Sequence, residues 1–144
     1  MDKRLYSLII SIVLFACTSS EGTISNDKYL REIIVGEGGG FTGEYMEYVL
    51  KENGNVYKKD FQFDRYVLFK KIDQTKTDAY FKKLESFNIE GIEFNQQGNM
   101  NYYIELKSNN VSINKVAWCA RWKVPNEQLI SFHRELIKEL SKME

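Results

Sequence analysis

The chain is poor in the residues that build metal centres and crosslinks. Its 144 residues include one histidine, His133, two cysteines, Cys17 and Cys119, and one proline, Pro125. A lone histidine with no second histidine and no cysteine pair beside it excludes a zinc site of His and Cys ligands. No acidic loop follows the EF-hand pattern, so calcium has no motif to bind. Basic and acidic residues both number 20. Without a basic excess the chain has no electrostatic case for nucleic acid, and it has no polybasic patch for anionic lipid. The apolar run at the front, from Leu5 to Ala16, is roughly a dozen residues and spans about 18–20 Å as a helix, short of a ~30 Å hydrocarbon core. Internal repeats and low-complexity segments are absent.

What the front of the chain has is an address. Lys3 and Arg4 precede the apolar run, and a small residue, Ala16, closes it, the layout of a secretory signal. Leu14-Phe15-Ala16-Cys17 resembles the lipobox of bacterial lipoproteins, matched at Leu14, Ala16 and Cys17, with Phe15 in the tolerant position. The resemblance implies removal of residues 1–16 as signal peptide, a diacylglyceryl thioether on Cys17, and usually a third acyl chain on the new amino terminus. Two chains are what stable anchoring requires, at about 0.8 kcal/mol per buried methylene. Lipid on Cys17 would leave Cys119 without a partner for an intrachain disulfide. Thr18, rather than Asp, follows the cysteine; by resemblance to the enteric sorting rule this favours the outer membrane, with the leaflet open. Residues 17–28 are small and polar and read as a flexible lipidated tether. Residues 29–144 form a single domain, large enough for a real core. Cleavage removes Lys3 and Arg4 against Asp2, so the balance of 20 against 20 becomes a net charge of about −1.

Periodicity gives the domain an α+β reading. Strands are expected over Tyr29–Val35, Glu44–Leu50, Val56 to about Phe63, Arg65–Ile72, Met100–Lys107 and Val111 to about Trp122. Asn53-Gly54 is a strong hairpin signal between the second and third. Tyr80, Phe81, Leu84 and Phe87 recur at helical spacing in the middle, after capping residues in Thr75–Asp78. Leu129, Phe132, His133, Leu136, Ile137 and Leu140 do so at the end, behind Pro125 as a first-turn proline. The result is an antiparallel sheet of five or six strands with one middle helix and one C-terminal helix.

No segment carries a credible catalytic set. Gly38-Gly39-Gly40-Phe41-Thr42-Gly43 spells G-x-G-x-x-G, but a strand follows where a dinucleotide site needs a helix. The loop reads as a hairpin whose glycines supply positive φ. Its tip, Gly39, Gly40, Phe41 and Thr42, either presents Phe41 to a protein partner or folds Phe41 back over the core. Cys119 with His133 has no Asp or Asn placed to orient the histidine, and a lone buried thiol behaves as a small hydrophobe. Glu90 and Glu93 read as solvated carboxylates. No cofactor and no metal are expected.

The order of these elements is similar to that of the emfourin family, small protein inhibitors of thermolysin-type metalloproteases. The shared features are the loop Gly39-Gly40-Phe41-Thr42-Gly43 between two strands, the helix with Leu84 and Phe87, and the ending Tyr102–Leu106, turn, strand, Pro125, helix. The resemblance covers most of residues 30–140. It implies a protein-binding, inhibitory role, carrying over the glycine loop as a fold feature and no inhibitory contact residue. The lipoprotein signal, a longer middle at Asp60–Ile72 and a loop at Gln96-Gln97-Gly98 depart from it. Two expectations result: a non-enzymatic envelope lipoprotein that binds a protein or peptide, or one that binds a small molecule or lipid on the aromatic sheet face.

Overall fold

A computed structural model describes residues 30–120 and 126–143. The signal peptide, Cys17, the tether, Tyr29, Arg121, Trp122 and Pro125 lie outside the described residues. The fold is α+β, as the periodicity predicts. Six strands form one antiparallel sheet: β1 (Arg31–Gly39), β2 (Glu44–Lys51), β3 (Asn55–Asp60), β4 (Arg65–Lys71), β5 (Met100–Ser108) and β6 (Val111–Cys119), in the order β4-β3-β2-β1-β5-β6. Helices α1 (Gln74–Ser86) and α2 (Glu127–Ser141) complete it.

Alternation along the strands decides which face the helices cover. Ile33, Val35, Tyr48, Leu50, Val56, Ile104, Leu106, Val116 and Trp118 point to one face and join Phe81, Leu84, Leu129, Phe132, Leu136 and Leu140 in a single core. Phe132 is fully buried and meets Tyr80 and Phe87 edge-on, with ring centres 6.1 and 5.7 Å away. The middle helix starts earlier than its hydroxyl-rich segment predicts. Asp73 is the cap, its carboxylate accepting from the Thr75 and Lys76 amides at 2.8 and 3.3 Å. At α2 the cap is Asn126, accepting from the Gln128 amide at 2.9 Å. The first residue of α2 is Glu127.

Three strand ends move by three residues or more from their expected places. β1 runs on through the glycines to Gly39 because bulky neighbours need the space a side chain would take: the Tyr103 ring lies over Gly36 and the Tyr45 ring over Gly38. β3 stops at Asp60, whose carboxylate accepts from the amides of Gln62 and Phe63 at 3.1 and 3.3 Å and folds residues 61–64 into a turn. β6 ends at Cys119.

The register gives the sheet two distinct ends. β1 rises from Arg31 to Gly39, and Arg31 pairs with Ser108 while Gly39 pairs with Glu44 and Met100. The chain thus enters at the end of the sheet that holds the turns 52–54 and 109–110. The hairpin loops 40–43 and 61–64 and the loop before Met100 sit at the opposite, distal end.

Candidate functional site

The distal end gathers aromatic side chains that the core does not take. Gly39, Gly40 and Gly43 all have positive φ, of 105°, 74° and 65°, which bends the β1–β2 loop tightly. The Gly40 amide donates to the Asn99 carbonyl at 2.7 Å, tying the loop to the start of β5. The Thr42 hydroxyl accepts from the Glu44 amide at 3.4 Å. Phe41 projects from this frame fully exposed. Of the two sequence expectations for Phe41, the fold-back onto the core is the one the structure removes.

Phe41 has neighbours that the sequence pattern does not assign to the tip. Tyr45, Phe61 and Phe63 are exposed there too. Tyr45 and Phe61 stand 5.8 Å apart, ring centre to ring centre, and the Arg65 guanidinium lies 5.1 Å over the Phe63 ring. Composition alone puts Phe61 and Phe63 at the end of a strand. The signal that finds them is Asp60, an acceptor placed to close a turn on the amides that follow it. A groove of about 450 Å³ lies beside the loop, lined by Glu37, Gly39, Thr42, Tyr45, Met46 and Met100 among others.

The sheet face away from the helices is not an apolar platform. Its charges are matched within the face. The hydroxyls of Tyr66 and Tyr103 both donate to the carboxylate of Glu47. Burial first, and then the bond to Glu47, hold both phenols well above the ordinary tyrosine range. Lys115 lies 4.3 Å over the Tyr103 ring and Lys59 4.6 Å over the Tyr66 ring. Glu32 meets Lys51 at 3.3 Å, and Glu105 meets Lys107 and Lys115 at 3.8 and 4.0 Å. These bonds hold the strands in register.

Cys119 and His133 line one groove, and each is packed by other partners. Cys119 is buried, its sulfur packed against Gly98. His133 is buried between Tyr102 and Trp118, at ring distances of 5.7 and 5.4 Å. Its Nε2 lies 2.9 Å from the Gly36 carbonyl oxygen, which only accepts, so Nε2 carries the proton. Burial lowers its pKa, opposed by the Gly36 bond, and nearby Arg134 lowers it further. The histidine is thus a neutral clamp between α2 and β1. Beside it a groove of about 550 Å³ opens between α2 and the distal ends of β5 and β6, lined by Tyr102, Trp118, Ile130, Ile137, Glu37 and Arg134 among others. Glu90 and Glu93 are exposed. Among the described residues no group of three or more His, Cys, Asp or Glu is placed to hold a metal ion, and no helix is long and apolar enough to cross a membrane.

No protein-family model matches the chain, and no curated protein matches it.

Proposed function

We propose that the chain is a non-enzymatic, lipid-anchored envelope protein that binds a protein or peptide partner through the distal aromatic tip. The observation that carries the reading is the position of Phe41. It is fully exposed at the end of the sheet opposite the end where the chain enters. β1 separates the two ends by its nine residues, about 26 Å at ~3.3 Å per residue. A lipid on Cys17 would tie the entry end to the bilayer through the flexible tether and leave Phe41, Phe61 and Phe63 at the untethered end. Exposed aromatics on a rigid hairpin are the usual material of binding anchors. The filled core and the exposed apolar tip favour a macromolecular partner over an enclosed ligand. Protease inhibition of the thermolysin type is one form the binding could take, on the resemblance of the element order alone.

The test is site-specific photocrosslinking in intact envelopes. A photoreactive residue at position 41 should give a discrete adduct that one at Asn109, at the entry end, does not. Phe61→Ala should reduce that adduct. Equal crosslinking from both ends would remove the tip from the reading. Palmitate-analogue labelling tests the anchor separately: label that persists in Cys17→Ala would refute it. A thermolysin-type protease left fully active by micromolar protein would refute the inhibitory form only.

A second reading rests on the groove beside His133. Its mix of Trp118, Tyr102 and Ile137 with Glu37 and Arg134 suits a small amphipathic molecule. A ligand there would quench or shift the fluorescence of Trp118, and Ile137→Trp should abolish the change.

A further inference from the structure

The two edges of the sheet are finished differently. β6 is covered from Asn114 to Ala117 by the segment after α1. The Ala117 amide donates to the Phe94 carbonyl at 3.2 Å, and the Gln96 amide donates to the Ala117 carbonyl at 2.9 Å. The Asn114 side-chain nitrogen donates to the Ile89 and Ile92 carbonyls at 2.6 and 2.8 Å. β4, at the other edge, pairs only with β3 among the described residues. It is seven residues long and carries no proline. Its centre is apolar and open on both faces: Tyr66 is 44 %, Val67 45 % and Leu68 58 % exposed. An edge of this kind is a template for one more strand, and the charges that flank its centre restrict which strand can pair there.

The charges of β4 say what that strand is. Arg65, Lys70 and Lys71 flank the apolar centre, and the strand holds no acid. A second copy of β4, antiparallel in the register that uses all seven residues, would set Arg65 against Lys71 at both ends. Like charges directly across a ladder are unfavourable. Lys70 is fixed on the Glu139 and Lys142 carbonyls at 2.8 and 3.1 Å, and Arg65 has Asp60 at 3.6 Å. Lys71 forms no ion pair with the described residues.

We propose that the free edge of β4 takes an extended segment of a partner protein, apolar in its middle and acidic at its ends, as a seventh strand of the sheet. The site is distinct from Phe41 and does not depend on the lipid anchor.

The test uses the full chain in detergent and two synthetic peptides. One alternates Val and Thr between paired glutamates; the other has paired lysines in their place. The acidic peptide should bind about tenfold more tightly by fluorescence anisotropy. It should also slow amide hydrogen exchange in Arg65–Lys71 and not in β6. The double variant Arg65→Glu, Lys71→Glu should reverse the preference between the two peptides. Phe41→Ala should leave both affinities unchanged, which separates this site from the distal tip. Absence of binding by either peptide at about 1 mM overturns the proposal. So does binding indifferent to the charge reversal, or a chain that self-associates through β4 in sedimentation.

Discussion

Gly36→Ala isolates one of the tightest contacts in the sheet. A Cβ built on Gly36 would stand 2.6 Å from Cε1 of Tyr103 and closer still to its Cζ and Oη. Ordinary contact begins near 3.4–4 Å, so the ring must leave its place. The ring in turn places the hydroxyl that donates to Glu47. Overpacking of this kind costs about 1–3 kcal/mol. A strained or lost bond to a carboxylate adds about 1 kcal/mol at a half-buried site. Replacing glycine in a strand returns about 0.5–1 kcal/mol through the unfolded chain. The expected net loss is about 2 kcal/mol, which for a domain of this size lowers Tm by roughly 8 °C. Urea unfolding followed by tryptophan fluorescence measures it. The companion variant is Tyr103→Ala, which empties the space the new methyl needs. In that background Gly36→Ala should be neutral or slightly stabilising, giving a coupling of about 2 kcal/mol between the positions. An unchanged urea midpoint for Gly36→Ala, or the same loss in both backgrounds, would refute the account.

Two predictions concern pH. The His133 pKa is lowered in the folded chain, chiefly by burial, so the unfolded chain takes up a proton first as pH falls. Stability is therefore complete above about 6.5 and declines below it, and His133→Gln should remove that part of the decline in urea titrations from about pH 7 to 5. The Glu139 carboxyl is held down to about 2 from an ordinary 4.5 by hydrogen bonds from Lys142 and Lys76. Its contribution is present above 4.5 and lost as pH falls toward 2; Glu139→Gln should flatten thermal stability across that window, and an unaltered acid limb would exclude the pair of lysines as the cause.

The fold was legible wherever one period ran long enough to be counted. The stripes of α1 and α2 and the alternation of β5 each repeat over several turns or residues, and Asn53-Gly54 states its turn locally. The glycine segment misleads because glycine ends strands by its own preferences. Here Gly36 and Gly38 stay in β1 because Tyr103 and Tyr45 lie across them, a reason written in residues far along the chain or on the next strand. Phe41 was legible as a tip residue. Its orientation was not, because exposure depends on whether the core is already full. Phe61 and Phe63 read as strand residues by composition, while the side chain of Asp60 makes them a turn. The free edge of β4 could not be read at all, since which strand ends a sheet is a property of topology.

The placement of β1 has a mechanical consequence. It runs from the point where the chain enters the sheet to the distal loop, and it lies in the interior with β2 and β5 bonded along both sides. Tension applied between Leu30 and Phe41 runs along the covalent backbone of this single strand, not across its hydrogen bonds. Neither ladder is peeled open. Such a load leaves the helices and the outer strands slack, so the domain would transmit a pull without first unfolding.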